Sequence, residues 1–204
     1  MDMAFLITAF ATLFVVIDPP GLIPLFIALT PGMSPAQRRS IGLRACVVAI
    51  AILTLFGLVG EAVLGFIGIS MSAFRIAGGI LLFLTALDML FERRTQRREG
   101  QATINDHDPS VFPLAIPLIA GPGAIATMIL LVGQSGGWQG TLAVHLVMLA
   151  VVLMAFLLFL VAGPLERALG RTGTVVITRL LGMLLAALSV QFVIDGVRGT
   201  GLIG

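Results

Sequence analysis

Ile17-Asp18-Pro19-Pro20-Gly21-Leu22-Ile23 and Ile119-Ala120-Gly121-Pro122-Gly123-Ala124-Ile125 lie 102 residues apart, and each interrupts an apolar run near its middle. Continued to Leu29 and Leu131, the two stretches are identical at six of thirteen positions. Proline removes a backbone donor and clashes with the preceding turn, while glycine frees the chain to unwind. Each stretch therefore predicts a helix broken and restarted inside a longer apolar segment. Freed backbone groups are not tolerated against lipid, so both breaks should face protein or a water-filled cavity. The plainer alternative is a pair of proline kinks.

The rest of the 204 residues make the membrane setting necessary. Hydrophobic residues are 58% and charged residues 11%, where about a quarter is usual for a soluble domain. Mean hydropathy is +1.12. A soluble globule and a disordered chain are both excluded. Twelve Arg against ten acidic residues leave a net charge of only +2, which is no phosphate-binding stripe, so nucleic acid is not an expected partner. The single Cys46 lies in an apolar run and reads as a small buried hydrophobe. No Walker loop, glycosidase carboxylate pair or metal cluster is present, and the chain calls for no cofactor and no metal.

A membrane helix needs about 20 apolar residues. Six runs qualify, at about 3–30, 41–64, 74–91, 111–132, 141–162 and 174–194. Ala9-Phe10-Ala11 resembles a signal-peptidase site, but the preceding residues carry Asp2 and no Arg, so cleavage is not expected. One transmembrane domain over 1–204 follows, with a first repeat at 1–91, a polar cytoplasmic loop at 92–110 and a second repeat at 111–204. With the N-terminus outside, ten arginines fall on the cytoplasmic side, leaving only Arg75 and Arg198 outside. Both termini should be periplasmic or extracellular.

The repeat extends beyond the breaks. Glu61-Ala62-Val63-Leu64-Gly65 returns as Glu166-Arg167-Ala168-Leu169-Gly170, and Arg75, Gly78, Leu81, Leu84 and Thr85 match Arg179, Gly182, Leu185, Leu188 and Ser189. Three crossings per half require the second copy to enter from the opposite side. The expected fold is all-α, with six transmembrane helices in two inverted three-helix repeats and discontinuous first and fourth helices, a plan recurrent among secondary transporters.

Asp18 is the one ionisable residue placed at mid-membrane depth. It reads as the N-cap of a half-helix that restarts at Pro19, and also as a functional carboxylate. The second break has Ala120 instead, so the half-helix starting at Pro122 offers N–H groups and a positive dipole end without an acid of its own. Asp18, Pro19, Pro20, Gly21, Gly121, Pro122 and Gly123 are thus the candidate binding residues. Together they suit a zwitterion, its ammonium at Asp18 and its carboxylate at Gly121 to Gly123.

Arg44, Asp88, Arg179, Glu61 and Arg75 lie near helix ends and can snorkel to water. Arg75 and Arg179 could instead pair with Asp88, Glu61 or Asp195 as gating latches. His145 reads as a structural histidine or a proton relay. Gly42, Ala45 and Ala49, and Gly182 and Ala186, have the spacing of close helix packing. Gly133-Gln134-Ser135-Gly136 fits the short G-x-S-G pattern of intramembrane serine proteases, yet it falls in an outer loop beside Trp138.

Three ordered blocks carry a family resemblance: Ile17 to Thr30, Gly68-Ile69-Ser70 leading to Phe74-Arg75-Ile76-Ala77-Gly78-Gly79-Ile80, and Pro113 to Ile125. They resemble the signature blocks of the MarC family, over nearly the whole chain. The resemblance implies a six-span inner-membrane protein of bacteria or archaea, grouped with LysE-type exporters. It also implies transport of small neutral amino acids such as glycine and alanine, as for SnatA-type members, and it carries Asp18, Gly21, Arg75, Gly121, Pro122 and Gly123 over as candidates. Many relatives have Asn after the first-block glycine, where this chain has Leu22. The expectation is a secondary transporter working by alternating access, with proton coupling through Asp18 and the lipid bilayer as its surroundings. A non-transporting scaffold or regulator is the alternative.

Overall fold

The computed structural model describes residues 3–91 and 109–201. The described residues fold into helices: α1 (Met3–Ile17), α2 (Pro19–Leu29), α3 (Pro35–Ile67), α4 (Met71–Leu90), α5 (Ser110–Ile119), α6 (Pro122–Gln134), α7 (Trp138–Leu160) and α8 (Ala162–Arg198). The central loop at 92–108, with Arg93, Arg94, Arg97 and Arg98, lies outside the described residues.

Among the described residues, five segments are long and apolar enough to cross a membrane: Met3–Leu29 taken as one, α3, α4, α7 and Thr172–Arg198 within α8. A sixth exists only if α5 and α6, bent by 54° at their junction, count as one span. The segment ends follow local chemistry. Ser34 and Gln37 form a reciprocal capping box with Pro35 at the first helical position of α3, and Gly68 ends that helix at φ 83°. Ser70 then accepts the Ala73 N–H at 3.1 Å and starts α4. At 1.5 Å per residue, the 33 residues of α3 span about 50 Å, more than the roughly 30 Å hydrocarbon layer. Arg38 and Arg39, in its first turns, can therefore stand beyond the apolar zone.

The fourth apolar run departs from the single break expected at Gly121 to Gly123. Within α5, Phe112 (φ −128°, ψ 123°) and Ile116 (φ −123°, ψ 124°) are extended, and the whole segment is wound more loosely than an α-helix. Each precedes a proline, Pro113 or Pro117, whose ring disfavours helical backbone in the residue before it. α8 also turns once, at Gly170 (φ 61°, ψ 175°).

The broken helices form the core. Of the most apolar window in Met3–Leu29, 67% is buried, against 22% in α3 and 28% in α4. In α6, Gly123, Ala124 and every residue from Ala126 to Leu131 are buried. This is where interrupted backbone has to be, because lipid offers it no partner. The unbroken helices surround it: α7 packs on α1 and α2, and α3 packs on α5 and α6. α8 packs on α2 as α4 packs on α6, while α3 meets α7 and α4 meets α8. Phe26 of α2 stacks on Phe159 of α7 at 4.4 Å, beside Gly42 of α3.

The α4–α8 pair is the most extensive contact. Small residues set its distance: a Cβ on Gly79 would stand 2.8 Å from the Ser189 carbonyl, and one on Gly182 would stand 3.3 Å from the Ala86 carbonyl. In packing, then, the counterpart of Gly182 is Gly79. Gly78, its match by sequence, faces Leu130 of α6. Gly42, Ala45 and Ala49 are buried along α3, as their spacing suggested.

Candidate functional site

The first break is built on Asp18. Among the described residues it is the one non-glycine at positive φ, with φ 56° and ψ 60°. Pro19 disfavours right-handed helical backbone at the residue before it, and the chain turns through the left-handed region, which Asp tolerates better than most residues. Oδ1 of Asp18 accepts the Gly21 N–H at 3.1 Å, the N-cap role expected, and Pro19 occupies the first helical position of α2. Gly21 is needed for this fold-over, because a Cβ there would collide with the Asp18 carboxylate.

Oδ2 of Asp18 accepts a hydrogen bond from the Thr178 hydroxyl at 3.4 Å. Thr178 belongs to α8, 160 residues away in sequence, so the site draws on both halves of the chain. The carboxylate is enclosed: Asp18 is 1% exposed and Pro19 is buried, while Pro20 and Gly21 are half-buried. Of the two settings expected for a break, protein or a water-filled cavity, Asp18 therefore has the first.

The second break starts α6. Gly121 holds ordinary extended backbone (φ −78°, ψ 168°) and no side chain caps the helix. The N–H groups of its first turn therefore have no intrahelical acceptor, and Pro122 has no N–H at all. A Cβ on Gly121 would reach within 2.5 Å of the Pro117 carbonyl, so the close turn requires glycine. Gly121 and Gly123 are buried, whereas Pro122 is exposed. The two breaks abut: a Cβ on Gly123 would lie 3.3 Å from Val16, two residues before Asp18, and 3.3 Å from Leu82.

The candidate latches stand towards the two ends of the α4–α8 pair, with Arg179 immediately after Thr178. Gly182 packs on Ala86, Met89 and Leu90, so half-buried Asp88 and exposed Arg179 share one end of the α4–α8 pair. Gly196 packs on Ser72 and Ile76, which puts Asp195 and Arg75 at the other end. There Asp195 accepts from Gln191 at 2.8 Å, and Arg75 is half-buried with its Nε lacking a partner. Glu61 is exposed, with an oxygen near Gly133. No ion pair joins Arg75 to Glu61 or Asp195 among the described residues.

His145 Nδ1 lies 2.7 Å from the Thr141 carbonyl, which places the ring proton on Nδ1, and Nε2 faces Gly57 without a partner. Ser135 donates to the Val132 carbonyl at 2.8 Å, so its hydroxyl is engaged at the end of α6. Sequence alone does not mark Thr178 or Val16. A threonine and a valine in apolar helices carry no signal of their own, and only the fold brings them to the breaks.

Residues 3–200 match the MarC family, described as MarC family integral membrane protein. The chain is similar to a UPF0056 membrane protein of Archaeoglobus fulgidus, 40% identical over 197 residues, covering 95% of this chain and 92% of the relative. It is 34% identical over 204 residues to the UPF0056 membrane protein YvbG of Bacillus subtilis, covering 98% and 97%. It is 33% identical over 197 residues to the UPF0056 inner membrane protein YhgN of Escherichia coli, covering 95% and 96%. No solved structure matches the chain. A match from end to end, together with relatives at this identity and coverage, gives the conclusion that the chain belongs to the MarC family of integral membrane proteins.

Proposed function

We propose that this protein is a secondary transporter of small zwitterions, most specifically small neutral amino acids, working by alternating access around its two broken helices. The observation that carries the reading is the meeting of two broken helices, one bearing the Asp18 carboxylate and the other with an uncapped N-terminus. The first can hold an ammonium group and the second a carboxylate. Asp18 is also the group through which a proton could be coupled.

The packing supports an inverted repeat of six spans. Exchanging α1 with α5, α2 with α6, α3 with α7 and α4 with α8 turns the α3–α6 contact into α7–α2, α3–α5 into α7–α1, and α2–α8 into α6–α4. The α3–α7 and α4–α8 contacts map onto themselves, whereas α1–α6, α1–α8 and α6–α7 have no counterpart of comparable extent. Arg75 and Arg179, matched by sequence, stand at opposite ends of the α4–α8 pair, as inversion requires. Both termini would then be periplasmic in a bacterial inner membrane. Rocking of one half against the other would open the site to each side, with Asp88 and Arg179 at one gate and Arg75 and Asp195, not joined in an ion pair here, at the other.

One observation favours the scaffold reading instead: Asp18 is closed off, as packing prolines alone would leave it. Uptake of labelled glycine or alanine into proteoliposomes separates the two. Wild-type flux lost in Asp18→Asn supports the transporter. Equal flux in the variant removes the role of Asp18, and no flux of any amino acid removes the reading as a whole.

A further inference from the structure

The geometry points to Thr127 as the side-chain donor of a carboxylate subsite at the start of α6, a specificity determinant for solutes carrying a carboxylate. The substrate side of this inference rests on the transport reading above.

Two independent observations converge on it. The first is the α6 N-terminus itself, buried at Gly121, Gly123 and Ala124 and closed by no side-chain cap. Its counterpart α2 has an acid in that place, Asp18, bonded to Gly21. The same backbone feature thus occurs twice in the core, once with a built-in anion and once without. A helix start of this kind favours an anion through its free N–H groups and its dipole.

The second is the hydroxyl of Thr127, which is 0% exposed and has no hydrogen-bond partner. Most helical threonines with a hydroxyl partner donate to their own backbone. Thr8, Thr12, Thr30, Thr85 and Thr141 each donate to the carbonyl four residues back, at 2.8–3.2 Å. Thr178 is a departure, because it donates to Asp18. Thr127 is another, and its own carbonyl four residues back belongs to Gly123. A helical Cα–Cβ bond tilts towards the helix N-terminus, so Thr127 leans over the turn that begins at Gly123, where Val16 and Leu82 also pack.

A buried hydroxyl without a partner is unfavourable unless a ligand supplies one. A carboxylate at the α6 start would accept from the first-turn N–H groups and from Thr127 together. Each break then has one threonine serving an anion: Thr178 serves the protein's own carboxylate, and Thr127 that of the solute.

The test uses the full-length protein in detergent and reads thermal unfolding against acetate, glycine and methylamine. Thr127→Val removes the hydroxyl at nearly constant volume, and Thr127→Ser keeps it. Acetate and glycine should stabilise wild type and Thr127→Ser with similar apparent Kd, and Thr127→Val should weaken both by about tenfold, the loss of one hydrogen bond to a charged group. Methylamine, which has no carboxylate, should respond equally in all three proteins. Without ligand, Thr127→Val should unfold no earlier than wild type, because it loses an unsatisfied buried group. Unchanged acetate and glycine affinity in Thr127→Val overturns the subsite, and so does a wild type that ignores acetate. Earlier unfolding of the unliganded variant overturns it too, since the hydroxyl would then be structural. Failure of the transport reading is separately visible as Thr127-dependent acetate binding without any amino acid flux.

Discussion

Gly21→Ala separates the geometry of the Asp18 site from the stability of the fold. A Cβ at residue 21 would stand 2.6 Å from the Asp18 carboxyl carbon and 2.9 Å from Oδ1, closer than van der Waals contact allows. Oδ2 would lie closer still, so the carboxylate must retreat by considerably more than about 0.8 Å to reach ordinary contact near 3.4 Å. That displaces it from the Gly21 N–H at 3.1 Å and changes its distance to the Thr178 hydroxyl at 3.4 Å, already a long bond. Losing the cap costs about 0.5–2 kcal/mol. Replacing Gly by Ala in the first turn of α2 recovers up to about 1 kcal/mol of helix propensity. The net change in stability is therefore about 2 kcal/mol or less. For a solute that uses Asp18 as its partner, however, a misplaced carboxylate loses a charge-assisted hydrogen bond of roughly 1.5–3 kcal/mol, about 10- to 150-fold in affinity. Unfolding of the purified variant in detergent and glycine uptake into proteoliposomes, measured side by side, check both halves. Uptake with wild-type KM and rate would refute the claim that the Asp18 fold-over positions the binding carboxylate. Unfolding at a temperature far below wild type, with uptake per folded molecule intact, would show that Gly21 serves the helix alone.

Two further outcomes follow from the packing. Thr178→Val removes the donor to Asp18 Oδ2 at nearly constant volume, and should raise the KM for glycine several-fold while Thr178→Ser stays near wild type; equal values in all three would remove Thr178 from the site. Gly79→Ala should destabilise the protein by about 1–3 kcal/mol, and by more than Gly182→Ala, because its Cβ meets backbone at 2.8 Å where that of Gly182 meets backbone at 3.3 Å; thermal unfolding of the two variants in detergent settles the order.

Several parts of this site were legible in one dimension because they depend on local covalent chemistry. Proline without an N–H and glycine without a Cβ break a helix wherever they stand, so the interruptions at Asp18–Gly21 and Gly121–Gly123 could be placed without coordinates. The cap role of Asp18 is equally local, a side chain reaching a backbone N–H three residues on. The loose winding of α5 is local in the same way, since Pro113 and Pro117 each force the residue before them out of helical backbone.

By itself, then, the sequence determined that this is a membrane protein of broken and unbroken helices, and it singled out one acid at the centre of the first break. Only the tertiary structure decided what that acid touches. Thr178 reaches Asp18 from 160 residues away, Val16 abuts Gly123 across the two halves, and Gly79 rather than Gly78 sets the α4–α8 distance. These facts depend on how helices rotate and cross, which a pattern of apolar residues constrains only weakly when nearly every position is apolar. In a soluble helix the polar face reveals the rotation. Here lipid and core accept the same side chains, so the rotation is set by the close fit of small residues in three dimensions.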